Sequence, residues 1–153
     1  MTKQEQYDKL FKTLDLLCEG ESDQIALMAT ISCELYSAFG QFDWVGFYRN
    51  IGDQRLKVGP YQGGHGCLTI DFARGICGRC AREKAVQNIP DVEAETDHIA
   101  CSSTTKSEIV LPILDANGEL IAVLDIDSNT PAAFDQTDQS NLERINAYFQ
   151  TPA

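Results

Sequence analysis

The stretch "EIVLPILDANGELIAVLDIDS", residues Glu108 to Ser128, decides how the chain reads. Two runs rich in Ile, Val and Leu flank the turn formers of "DANGE". That pattern predicts an antiparallel hairpin. Side chains alternate along a strand, so Val123, Asp125 and Asp127 share one face. Glu108 opens the partner strand and is expected near both aspartates. Three carboxyls at one spot repel, and each pKa rises. Such a cluster suits an acid that donates a proton near neutral pH, or a site that holds an ammonium group. The plainer alternative is a solvated strand end, with Asp127 entering a turn beside Ser128 and Asn129.

Upstream of this hairpin, "FDWVGFYRN", the turn "IGDQ" and "RLKVGPYQG" predict another antiparallel pair. Before it, Tyr7, Leu10, Phe11, Leu14, Leu17 and Cys18 recur at helical spacing, and Gly20 stops them. A second helix begins at Ser22 or Asp23, turns Ile25, Met28, Leu35 and Phe39 inward, and ends at Gly40. Between the hairpins, "GGHGCLTIDF" is glycine-rich and then strand-like. "RGICGRCAREKA" opens a short helix at a glycine turn, and "VQNIP" is a short strand. Residues 91–107 are polar and aperiodic, the length of loop that is usually functional in a compact domain. "AAFDQTDQSNLERINAYF" supplies a closing helix. The expected fold is α+β: one domain over residues 1–153, with a central antiparallel sheet of about six strands flanked by helices.

Twelve basic residues against twenty-three acidic give a net charge of −11. That field repels polyphosphate and anionic headgroups, so neither nucleic acid nor a membrane surface is an expected partner. No apolar run approaches the roughly 20 residues of a membrane span, and the N-terminus lacks a secretory pattern. A cytoplasmic location is the expectation, and six cysteines there do not read as a disulfide scaffold.

Cys18 and Cys33 fall inside the predicted helices and read as small core residues. Cys67, Cys77, Cys80 and Cys101 fall in loops or at element ends, where cysteine calls for more explanation. "CGRC", Cys77 to Cys80, lacks the βαβ setting of a thioredoxin-type motif. It also lacks the second Cys pair or His pair of a structural zinc site, since His65 and His98 are the only histidines. No metal and no cofactor are expected. The plain reading, small residues on a short helix, stands for Cys80. His98 and His65 read as loop residues.

"DWVGFY", "GPYQG" followed by "GC", "GICG", "HIAC", "SEIVLPI" and "VLDIDS" stand in the order seen in free methionine-(R)-sulfoxide reductases. The chain resembles that family, whose members are stand-alone GAF domains, from about Phe42 to Glu143. The resemblance implies a GAF-like fold and thiol-dependent reduction of free methionine-(R)-sulfoxide. It implies Cys101 as nucleophile, Cys67 as its resolving partner and Cys77 as an auxiliary thiol. It also implies Glu108, Asp125 and Asp127 lining the pocket, with Trp44 as an aromatic wall. Glu108 would donate the proton and the aspartates would hold the substrate ammonium. Backbone N–H groups of "RGICG" would meet the carboxylate. The implied reductant is thioredoxin or a similar dithiol, and a homodimer is among the expected assemblies. Phe-Pro-Gly usual before "HIAC" is replaced by Glu95-Thr96-Asp97, and Ser102 follows Cys101, so the loop over the pocket is expected to differ in shape and charge. The rival expectation is a GAF sensor that binds a small ligand without chemistry.

Overall fold

The structure, a computed structural model, describes residues 1–96 and 102–150. Two helices lead, α1 (Lys3–Leu17) and α2 (Gln24–Ala38), followed by β1 (Trp44–Asn50), β2 (Arg55–Gln62) and β3 (Thr69–Asp71). Helix α3 (Gly75–Glu83) and strand β4 (Gln87–Ile89) come next, then β5 (Ser107–Leu114), β6 (Leu120–Ser128) and α4 (Gln136–Leu142). The six strands form one sheet in the order β3-β2-β1-β6-β5-β4, with every neighbour antiparallel. Both predicted hairpins form, and β1 joins them by pairing with β6.

Prolines mark where this sheet gives way. Pro60 cannot donate to a ladder, and the β1–β2 register slips by one residue between the Tyr48 and Gly46 pairs, around Gly59 and Pro60. Pro112 sits in β5, a strand with neighbours on both sides. Strand β4 pairs with β5 only as far as Val110, so the missing N–H of Pro112 falls past the end of β4.

The sheet divides the apolar residues into two cores by the period-two rule. Val45, Phe47, Ile109, Leu111, Leu124 and Ile126 face α1, α2 and α4 in the larger one. Trp44, Tyr48, Val110 and Val123 face the other way, packed with Ile76, Cys77, Cys80 and Ala81 of α3. Glu108, Asp125 and Asp127 have the parity of this second group. The functional face is thus the one covered by the short helix.

Capping sets the helix starts. The Thr2 hydroxyl accepts from the Glu5 N–H at 3.1 Å while the Glu5 carboxylate accepts from the Thr2 N–H at 2.8 Å. At α2 the Asp23 carboxylate accepts from the Ala26 N–H at 3.0 Å, without a reciprocal bond from the alanine. Tyr7 donates to Asp138 at 2.7 Å, fastening α1 to α4.

Four expectations for the helices need correction. Leu17, at the frayed end of α1, is 55% exposed, although Cys18 beside it is buried. The inner face of α2 runs through Leu27, Met28, Ile31 and Leu35. Ile25 lies about 200° round the helix from Leu27, and Cys33 the same distance from Ile31, so both face outward. Ile25 is 50% exposed, and Cys33 is an exposed free thiol rather than a core residue. The closing helix is α only over Gln136–Leu142 and continues as a 3₁₀ helix over Glu143–Phe149.

Gly46 shows how closely this fold is drawn around its functional face. It pairs with Asp125, and a Cβ added there would lie 2.5 Å from Tyr61 Cβ and overlap the Trp44 ring. Gly46→Ala is expected to push Trp44 off Tyr61 and to destabilise the protein by about 1–3 kcal/mol, as overpacking does. Chemical denaturation with tryptophan fluorescence reads both effects at once, because Trp44 is the sole tryptophan.

Candidate active site

On the α3 face, a cavity of about 510 Å³ opens between β1, β6, β5 and the start of α3. The β5–β6 register sets Glu108 opposite Asp127 and Val110 opposite Asp125. The β1–β6 register sets Trp44 opposite Asp127. Three carboxyls and one indole therefore meet because four neighbouring strand positions have the same parity. All four line the cavity.

Burial governs the chemistry of the acids. Glu108 is 6% exposed and Asp125 4% exposed, and Asp127 is half-buried. Desolvation is the chief cause that raises all three pKa values well above the ordinary carboxyl range. Repulsion adds to it: Asp125 acts on Glu108, Asp127 on Asp125, and Glu108 on Asp127. The three carboxyls are coupled to one another, and a shared proton relieves their repulsion. One oxygen of each, Glu108 Oε1, Asp125 Oδ1 and Asp127 Oδ1, is buried with no partner. Among the described residues no lysine or arginine lines the cavity. The site therefore holds unneutralised acceptors, with protons in the cluster. It fits a cationic group together with an oxygen that can accept a hydrogen bond.

This arrangement costs stability. Between the unfolded and the raised folded pKa values the native state binds more protons, so stability falls as pH rises through that window. Asp125→Asn removes one charge from the cluster. It is expected to raise Tm near pH 7 by about 2–4 °C, the shift that about 1 kcal/mol gives in a chain of this size. It is also expected to flatten the fall in stability from pH 5 to pH 8. Differential scanning calorimetry across that range checks both, and an unchanged pH slope would mean that the cluster is not strained.

The wall opposite the acids is aromatic. Trp44 stacks between Tyr48 and Tyr61, with ring centroids 5.6 and 5.3 Å away. Its indole N–H donates to the Gly64 carbonyl at 2.8 Å, which fixes the ring plane. Tyr48 also lines the cavity, and burial chiefly pushes its hydroxyl pKa up, so it stays a neutral donor. The floor is the start of α3, where Gly75, Ile76 and Cys77 line the cavity. Gly75 has φ +72°, a value that favours glycine, at the first position of α3.

The cysteines sort by environment. Cys77 is buried and free, and desolvation first, then Asp125 and Glu108, push its pKa well up, so it is a thiol. Cys80 is also buried and free, with its pKa raised by burial. Cys67, between β2 and β3, packs half-buried against the α3-side core and is disulfide-bonded. The residues named as nucleophile and as its neighbour in the loop, Cys101 and His98, lie outside the described residues. Ser102, Ser103, Thr104 and Thr105, just after Cys101, line the cavity. Cys77 also stands with Glu108 and Asp125 as a group whose ligand atoms all lie within 4.8 Å of one another. Cys80, the second cysteine of the C-x-x-C, is not part of this cluster.

Several lining residues carried no signal in the sequence. Tyr48 reads there as a strand aromatic. Asp43 accepts from the Asn129 N–H at 2.7 Å and ties the two strand ends that frame the mouth. His65 lines the cavity although it reads as a loop residue.

The GAF domain family matches residues 23–148. The chain belongs to that family. Free methionine-R-sulfoxide reductase of Escherichia coli (strain K12) is 37% identical over 150 residues, which span 98% of this chain and 90% of the relative. GAF domain-containing protein A of Dictyostelium discoideum is 41% identical over 144 residues, 94% of this chain and 90% of that protein. The X-ray structure of free methionine-R-sulfoxide reductase from Neisseria meningitidis in complex with its substrate matches with a TM-score of 0.91 at 37% identity. That match covers 98% of this chain and 89% of the other. Within the GAF family the chain is a member of the free methionine-R-sulfoxide reductase group.

Proposed function

We propose that the protein reduces free L-methionine (R)-sulfoxide to L-methionine, with Cys101 as the nucleophile and Cys67 as the resolving thiol. The observation that carries this reading is the cluster of Glu108, Asp125 and Asp127, its pKa values pushed up chiefly by desolvation, in one cavity with the Trp44 wall. It offers what a free amino-acid sulfoxide needs and what a residue in a protein does not. The ammonium meets acceptors at Asp125 and Asp127. The sulfoxide oxygen meets a proton donor at Glu108. The methyl group packs on the indole, and the carboxylate faces N–H groups at the start of α3. A phosphate ligand of a sensor domain would meet unneutralised acids instead, and this disfavours the sensor reading.

The chemistry then balances with two thiols. Protonation of the sulfoxide oxygen by Glu108 makes the sulfur electrophilic, and the Cys101 thiolate attacks it. The hydroxyl then passes from the substrate sulfur to Cys101 Sγ as the S–O bond and the transient S–S bond break, so methionine leaves and Cys101 becomes a sulfenic acid. Cys67 condenses with it, releasing water and forming a disulfide. Thioredoxin or a similar dithiol reduces that bond by exchange. A reducing compartment such as the cytoplasm supplies that dithiol. Cys77 is held as a thiol by burial and then by its acidic neighbours, which suits an auxiliary partner and not the first nucleophile. The disulfide at Cys67, with Cys77 and Cys80 free, supports Cys67 over Cys77 as the resolving residue.

Peptide mapping after one equivalent of substrate tests this assignment. A Cys67–Cys101 linkage is expected. In Cys67→Ser, one stoichiometric turnover is retained while steady-state turnover with thioredoxin slows sharply. A linkage found only between Cys77 and Cys80 would overturn it.

A further inference from the structure

Cys77, Glu108 and Asp125 bring a thiol and two carboxyls to one buried point, and their ligand atoms lie within 4.8 Å of one another. A tetrahedral Zn²⁺ holds sulfur at about 2.3 Å and oxygen at about 2.0–2.2 Å, which places its ligand atoms roughly 3.3–3.7 Å apart. Side-chain adjustments of about an ångström would therefore close the three groups on an ion. A second observation points to a ligand here. Glu108 Oε1 and Asp125 Oδ1 belong to side chains more than nine-tenths buried, line the cavity, and have no hydrogen-bond partner. Asp127 Oδ1 is likewise unpartnered on the same sheet face, and water can take the fourth position.

We propose that in the reduced protein Cys77, Glu108 and Asp125 bind one thiophilic divalent cation, Zn²⁺ or an ion of like softness, inside the cavity. The donor set is mixed sulfur and oxygen with three protein ligands. It favours Zn²⁺ over Mg²⁺ or Ca²⁺, which ask for six or more oxygens. The ion replaces the shared protons: the thiol proton and those on the carboxyls leave to solvent as the bonds form. One dipositive ion against a thiolate and two carboxylates leaves a net charge of −1 in place of a strained acid cluster. Cation and substrate ammonium draw on the same carboxylate oxygens, so each excludes the other. That exclusion rests on the reductase reading, whereas binding of the ion does not.

The test uses the full chain, reduced and metal-free, and follows binding without turnover. Calorimetry with Zn²⁺ is expected to give one equivalent bound, and Co²⁺ to give a thiolate-to-metal charge-transfer band. Cys77→Ser is expected to abolish the band and weaken Zn²⁺ by about 100-fold or more. Glu108→Gln and Asp125→Asn, which keep side-chain shape, are each expected to weaken it by about 10-fold or more, with Cys67→Ser and Cys33→Ser near wild type. Ca²⁺ in place of Zn²⁺ is expected to give no heat of binding. An undiminished band in Cys77→Ser overturns the proposal. Loss of the band in Cys67→Ser also overturns it, because the ion would then sit on the redox pair. Neither result touches the reductase reading, which methionine formation tests separately.

Discussion

Cys101→Ser is expected to lose all measurable reduction of free methionine-(R)-sulfoxide, with thioredoxin and with dithiothreitol alike. A serine hydroxyl cannot attack a sulfoxide sulfur near neutral pH, and it cannot carry the oxygen away as a sulfenic acid. Cys77, a thiol that lines the cavity, is kept protonated by burial and by Asp125 and Glu108. A thiol with an ordinary pKa of about 8.5 is already only a few per cent thiolate at pH 7, and an acidic site lowers that fraction further. Cys77 therefore does not substitute for Cys101 as the nucleophile. The substrate cavity does not need Cys101 to form, because its acids, its aromatic wall and the start of α3 are set by sheet register and helix packing. The variant is expected to bind substrate still, as isothermal calorimetry can show. Turnover of Cys101→Ser at the wild-type rate with dithiothreitol would remove Cys101 from the mechanism.

Glu108→Gln is expected to lower kcat by about 10²–10⁴-fold, the usual worth of a general acid, with a much smaller change in KM. Glutamine keeps the shape and can donate a hydrogen bond to the sulfoxide oxygen, but it delivers no proton. Glu108 suits this role because it is almost fully buried and pairs directly with Asp127 across the hairpin. Its raised pKa keeps it protonated where an exposed glutamate would be ionised. The rate should accordingly fall on the alkaline side as the cluster loses its protons, and this limb should vanish in Glu108→Gln. Asp127→Asn is expected to act differently, raising KM and narrowing the preference for the free amino acid over its N-acetyl form.

The two hairpins and the first two helices were legible because their apolar residues keep one period over enough positions. The same alternation placed Asp125 and Asp127 on one face, and Glu108 across from them. What could not be read is how two hairpins join. The pairing of β1 with β6 brings Trp44 to Asp127, and nothing local to either strand announces it. Tyr48 and Asp43 become lining residues through that pairing, and they carried no signal of their own. The "CGRC" motif is weak by itself, and Cys80 is the small buried helix residue that it reads as. Its two cysteines are both buried, but Cys77 meets Glu108 and Asp125 from other strands instead of forming a site with Cys80. Ile25 and Cys33 were misplaced because α2 is apolar over much of its surface, so hydrophobicity alone does not mark its inner face.

The central claim is that the acid cluster selects a free amino acid bearing a sulfoxide and that two thiols reduce it. Steady-state methionine release by the wild-type protein with a thioredoxin system tests it most directly. The substrates to compare are the R and S epimers of free methionine sulfoxide and N-acetyl-methionine-(R)-sulfoxide. Rapid turnover of the free R epimer is predicted, with the S epimer and the N-acetylated R compound slower by about 100-fold or more. Equal rates on the free and N-acetylated R compounds, or no methionine from any of the three, would contradict the account.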